Sequence, residues 1–115
     1  MISEEMIRRA VETLKEAGSP SRIILFGSYG RGQPHPDSDL DFLVIQPEVR
    51  SRRQEMVRLR RAISPLRIPA DVLVVREKTF RKWSDTPGNV LFEATQEGRV
   101  VYEAAAIEPL AQANA

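Results

Sequence analysis

Three short apolar runs constrain this chain more than any other feature: "RIILFG" from Arg22, "DLDFLVI" from Asp39 and "IPADVLVV" from Ile68. Their cores are continuous in apolar character and rich in β-branched residues, the pattern of strands buried within a sheet. Such strands need layers packed on them, and the sequence between them supplies helices. Met6, Ile7, Ala10, Val11 and Leu14 recur at three- and four-residue intervals, with Ser3 to cap, Glu4 and Glu5 in the first turn and Gly18 past the end, which predicts a helix over 3–17. Val49, Met56, Leu59, Ile63 and Leu66 share one face of a second helix, 49–66, whose other face is crowded with arginines. Beyond the third run come a short helix, a turn at Pro87 and Gly88, a helix over 89–97 and a last strand over 99–103. The order α-β-β-α-β-α-α-β predicts one α/β layer domain over 1–104, with an alanine-rich tail, 105–115, frayed or loosely docked.

Composition closes off other classes. The chain is 42% hydrophobic and 29% charged, an ordinary globular mixture with no apolar stretch of membrane-spanning length. Its 17 basic and 16 acidic residues leave a net charge of +1, so no global field directs it to nucleic acid or a membrane. The absence of cysteine excludes disulfides and thiolate chemistry and, with no basic-then-apolar leader, fits a cytoplasmic protein.

The junction of the first two runs carries the chemistry. Asp37, Asp39 and Asp41 fall within five positions at the mouth of an apolar strand. Alternation along a strand puts Asp39 and Asp41 on one surface, where like charges raise each other's proton affinity unless a cation neutralises them. Asp71 opens an otherwise apolar run, where a lone carboxylate is costly without a cation or donors. The three acids suit one or two Mg²⁺ ions, which in two-metal phosphoryl-transfer sites stand about 3.5 to 4 Å apart. Gly27, Ser28, Gly30 and Gly32 form a loop free of bulk whose N–H groups could hold phosphate oxygens.

Gly27-Ser28, then Asp39-x-Asp41 ahead of an apolar strand, then Asp71 on a later one, resembles the nucleotidyltransferase superfamily related to DNA polymerase β. Within it, "GSYGRG" and "SDLDFLV" are most similar to the minimal nucleotidyltransferase domains that pair with HEPN-domain proteins in prokaryotic toxin–antitoxin systems. The resemblance spans Leu25 to Val75, and "EGRVVYE" is similar to that family's closing strand. Many of those domains carry alanine where this chain has Gly30, a change expected to be harmless to the chemistry.

The resemblance implies a small mixed β-sheet flanked by helices, with Asp39 and Asp41 binding the metal that bridges the nucleotide phosphates. Asp71 would bind the metal at the attacking hydroxyl, and Gly27 and Ser28 would hold the β- and γ-phosphates. Arg31 would stabilise developing phosphate charge or form a salt bridge to the loop aspartates. The implied reaction moves AMP from ATP to a tyrosine hydroxyl on a HEPN toxin, making the chain an antitoxin. The short stretch after Asp71 leaves no room for an acceptor-binding domain, so a second copy or a partner protein would complete the cleft. Two alternatives stand beside this: a non-catalytic binding module, and a transferase acting on a small molecule such as an aminoglycoside.

Other motifs fail. No lysine follows the glycines, and their spacing is wrong for a dinucleotide fingerprint. Asp37, Asp39, Asp41 and Glu48 mimic a calcium loop, but Phe42 occupies the position that needs glycine. Asp37 reads as a solvated turn residue, and His35, between two prolines, has nothing to orient it as a base. Arg50, Arg52, Arg53, Arg58, Arg60 and Arg61 read as a solvated helix face, with a partner or RNA surface as the sharper alternative; Phe80 and Trp83 read as core.

Overall fold

The structure, a computed structural model, describes residues 1–104; the tail lies outside the described residues. Helix α1, Glu4–Gly18, starts at Ser3, whose hydroxyl accepts from the Met6 N–H at 3.2 Å, and buries Ile7, Ala10, Val11 and Leu14. Strand β1, Arg22–Phe26, leads into a one-turn helix α2, Gly27–Gly30, where the sequence predicts only a loop. Four residues are fewer than two turns, too few for helical periodicity to register. Strand β2, Leu40–Gln46, begins one residue after Asp39, which therefore stands just outside the strand that the sequence predicts it to open.

Helix α3, Arg52–Ile63, starts at the Ser51 cap, not at Val49, and a 3₁₀ turn over Ser64–Leu66 leads toward β3, Ala70–Arg76. Helices α4, Glu77–Trp83, and α5, Val90–Glu97, precede the last strand β4, Arg99–Glu103. The sheet order is β3-β2-β1-β4. Strands β2 and β3 run parallel with α3 as their crossover, while β1 pairs antiparallel with both β2 and β4, so the sheet is mixed.

The two faces of the sheet are covered unequally. On one, Ile23, Leu25, Phe42, Val44, Val72 and Val74 pack against α1, α3 and Tyr29 in the larger core. On the other, Ile24, Leu43, Ile45 and Val75 meet Phe80 of α4 and Ala94 of α5 in a smaller one. Trp83, expected in the core, is 42% exposed and lines a groove of about 240 Å³ with Leu43, Leu73, Val90 and Leu91 on this second face. It ends its helix with the Lys82 ammonium 5.4 Å from its ring, an amphipathic position an indole tolerates.

The arginine face of α3 is less free than its sequence suggests. Arg52 Nε donates to the Val74 carbonyl at 2.8 Å, covering part of the open edge of β3. Arg58 donates to the Ala17 carbonyl at 2.7 Å and to Glu55, and Arg60 pairs with Asp71. Arg50, Arg53 and Arg61 remain exposed.

Candidate active site at the acidic end of the sheet

The pairing register aligns one row across three strands: Phe26 opposite Asp41, and Asp41 opposite Asp71. Alternation puts Asp41 with Leu43 and Ile45, and Asp71 with Leu73 and Val75, on the second, less covered face. The acids stand together because the parallel β2–β3 pairing starts both strands level, with the Leu40 N–H donating to the Pro69 carbonyl at 3.0 Å.

Asp41 is half-buried, and its carboxyl titrates above the ordinary range. Burial is the main cause, followed by the charges of Asp71 and then Asp39, with Arg31 opposing them. The crowding predicted from the sequence therefore falls on Asp41. Asp71 departs from its expected burial: its side chain is 58% exposed, because β3 is an edge strand, and Arg60 donates to its Oδ1 at 3.0 Å. Asp39 is exposed at the strand mouth.

Gly27 shows why no side chain fits at the turn. Its φ of +70° lies in the left-handed region, and a Cβ there would stand 2.3 Å from Asp41 Oδ2. The backbone of α2 thus lies directly on the central carboxylate. A single helical turn leaves its leading N–H groups without intrahelical partners, so donors stand beside an acid cluster at one end of the sheet. Arg31 follows, ion-paired with Glu97 at 3.3 Å instead of with the loop aspartates, though its charge still acts on Asp41.

Gly30 has no room for a side chain in this fold. A Cβ on it would meet the Leu25 carbonyl oxygen at 2.4 Å and the Gly98 Cα at 3.3 Å, so alanine requires backbone to move. The sequence alone assigns no role at this site to Gly98, Glu97 or Arg60. Their partners lie far along the chain or, for Arg60, follow from the edge position of β3, and no local pattern marks either. Asp37 and His35 lie exposed in the loop before β2, where the Ser38 hydroxyl accepts from the His35 N–H.

The donor set suits a hard divalent cation in type and placement: two carboxylates at one paired register, a third at the strand mouth, and like-charge crowding on the central one. With the side chains as they stand, no three His, Cys, Asp or Glu among the described residues are arranged to hold a metal. Asp71 faces Arg60, and an exposed pair of that kind costs about 1 kcal/mol or less to break.

The comparisons agree with this architecture. Among curated proteins none matches the chain. Among solved structures, a toxin–antitoxin crystallised with AMP-PNP aligns with a TM-score of 0.61 at 19% identity over 90% of this chain and 76% of that one. A mutant of the MntA–HpeT toxin–antitoxin gives 0.60 at 16% identity, with the same 90% and 76% coverage. The spectinomycin adenyltransferase AAD(9) from Enterococcus faecialis, solved with ATP and spectinomycin, gives 0.65 at 17% identity, with 89% of this chain covering 56% of that one. At these identities the likeness is one of fold. The family model for the nucleotidyltransferase domain matches residues 7–101, nearly the whole described chain, and includes every acid and glycine of the site; the chain belongs to that family.

Proposed function

We propose that this protein is a Mg²⁺-dependent adenylyltransferase antitoxin that moves AMP from ATP to a tyrosine hydroxyl of a partner HEPN toxin. The observation that carries the reading is the paired register of Asp41 and Asp71 with the Gly27 backbone lying on Asp41. Acids that would take cations and amides that would take phosphates then stand together at one end of the sheet, which supports the reading.

Asp39 and Asp41 would hold one Mg²⁺ ion, and Asp71 would hold a second on the acceptor side. Bound there, Mg²⁺ would screen phosphate charge and acidify the acceptor hydroxyl. The chain's own groups do the rest. The Gly27 and Ser28 amides and the Ser28 hydroxyl hold the β- and γ-phosphates, orienting the α-phosphorus with pyrophosphate opposite the incoming oxygen. Arg31 offsets charge gathering on the leaving group. Asp71, more exposed than Asp41, accepts the hydroxyl proton as the oxygen–phosphorus bond forms and the bond to pyrophosphate breaks. Two toxin–antitoxin neighbours support the protein acceptor.

A small-molecule acceptor is the second reading, supported by the likeness to AAD(9), although the chain spans only 56% of that enzyme. The test is transfer of label from α-labelled ATP with Mg²⁺ to proteins of the source cell's lysate, run beside Asp41→Ala and a chelator control. A labelled protein that disappears in both controls is the expected result, and its identity decides whether the acceptor is a HEPN protein. Label appearing on an aminoglycoside, with none on protein, favours the second reading. No metal-dependent transfer to either acceptor refutes the catalytic claim.

A further inference from the structure

Three glycines close the space around α2 for different reasons. Gly27 needs its conformation, with φ +70°. Gly30 and Gly98 do not: neither has a positive φ, and Gly98 sits at φ −88° and ψ 177°, extended backbone open to any residue. What they need is the absence of a side chain. A Cβ on Gly98 would stand 2.5 Å from the Ala94 carbonyl oxygen, 2.8 Å from the Leu25 carbonyl oxygen and 2.8 Å from Ile24 Cγ2. A Cβ on Gly30 would stand 2.4 Å from that same Leu25 oxygen and 3.3 Å from the Gly98 Cα. Two bare backbones far apart in the chain therefore close on one carbonyl of β1.

The contact fixes the position of α2 from its far end. At its start Gly27 lies against Asp41, and at its end Gly30 lies against Leu25 and Gly98. Just beyond, Arg31 bonds Glu97, the residue before Gly98, at 3.3 Å, and the Tyr29 hydroxyl accepts from the Ile2 N–H at 2.8 Å. A methyl added at Gly30 meets the Leu25 carbonyl, and one added at Gly98 meets the Ala94 and Leu25 carbonyls, so backbone must shift where α2, α5 and β1 meet.

We infer that Gly98 is a positioning residue for the nucleotide: its bare backbone, closed against Gly30 over the Leu25 carbonyl, seats the Gly27–Ser28 turn on Asp41. This rests on the reading of that turn as the phosphate cradle. Gly98 touches neither substrate nor metal, and it acts only through where it lets α2 sit. A displacement of about 1 Å at a reacting group can cost up to roughly 100-fold in rate, so the effect is large enough to measure.

The test compares Gly98→Ala, Gly30→Ala and the double variant with wild type and with Val100→Ala, an exposed neighbour on β4. Three readouts are taken: ATP affinity by calorimetry with Mg²⁺, the KM for ATP against kcat, and hydrogen exchange at the Arg31 and Gly32 amides, which close α2 on the Gly27 and Tyr29 carbonyls. Each glycine variant is expected to bind ATP roughly 10- to 100-fold more weakly and to exchange faster at those amides. The double variant should lose less than the product of the two, because both disturb one contact. Val100→Ala should match wild type. If Gly98→Ala does not fold, Gly30→Ala carries the test, since it reaches the same oxygen from the α2 side. Folded glycine variants with wild-type ATP affinity overturn the inference, as do multiplicative losses in the double variant. Failure of the wild type itself to bind ATP overturns the nucleotidyltransferase reading, and this one with it.

Discussion

The two ends of β2 handle charge in opposite ways. At its C-terminal end Gln46 is buried, and its Nε2 donates to the Gly18 carbonyl at 2.8 Å and to Glu55 at 2.6 Å, while Arg58 donates to both oxygens of Glu55. The Arg58 hydrogen bond pulls the Glu55 carboxyl below its ordinary range, overcoming the opposing effect of burial. At the N-terminal end burial pushes the Asp41 carboxyl the other way, and the charges of Asp71 and then Asp39 push it further. One end has resolved its charges within the chain. The other keeps an excess of negative charge on a half-open ledge, which the proposed Mg²⁺ would balance.

The largest effect that could break this contrast is at Asp41. Asp41→Asn should reduce adenylyl transfer by about 10³-fold or more, the scale of several kcal/mol of lost charge stabilisation, with no fall in melting temperature. A variant that is both inactive and unstable would make Asp41 a structural residue instead. Gln46→Ala should do the reverse. It removes the side-chain donor of the Gly18 carbonyl and leaves Glu55 with Arg58 alone, so denaturant unfolding should show a loss of about 1–3 kcal/mol while transfer by the folded protein is unchanged.

The sign of the pH dependence sharpens the same comparison. Because Glu55 is lowered in the folded state, its contribution is present above its ordinary value of 4.5 and is lost as pH falls through the depressed one. Because Asp41 is raised, its ionised form costs stability at neutral pH, and that cost disappears as pH falls through the raised value toward the ordinary 3.8. Thermal melts should therefore find Asp41→Asn more stable than wild type at neutral pH and equal to it in acid. Glu55→Gln should be less stable at neutral pH, with the gap closing in acid. The smallest effect is at Arg60. Arg60→Ala should change stability by less than about 1 kcal/mol, since the pair it breaks is half exposed, and should tighten Mg²⁺ binding a few-fold by releasing Asp71.

The sequence carried this contrast unevenly. The strand runs, the Asp39-x-Asp41 spacing and the position of Asp71 were legible because alternation and apolar continuity are local. Order in the sheet is not local. Nothing in "IPADVLVV" says that β3 lies at an edge, so the sequence alone points to a buried Asp71 and a solvated Arg60. Trp83 was read as core for the same reason: its exposure depends on how α4 and α5 leave one face partly open. The contact between Gly30 and Gly98 joins residues far apart in the chain through backbone atoms alone, and no side-chain pattern could announce it. Gly98 matters in the fold for what it lacks, a feature that sequence periodicity cannot express.

The most direct test of the account is calorimetric titration of the wild-type protein and Asp41→Asn with ATP, each with Mg²⁺ and with a chelator. The account predicts ATP binding by the wild type that depends on Mg²⁺, with the metal-dependent part absent from Asp41→Asn. Equal binding in all four conditions, or none in any, would contradict the claim that the unpaired acidic end of β2 is a metal–nucleotide site.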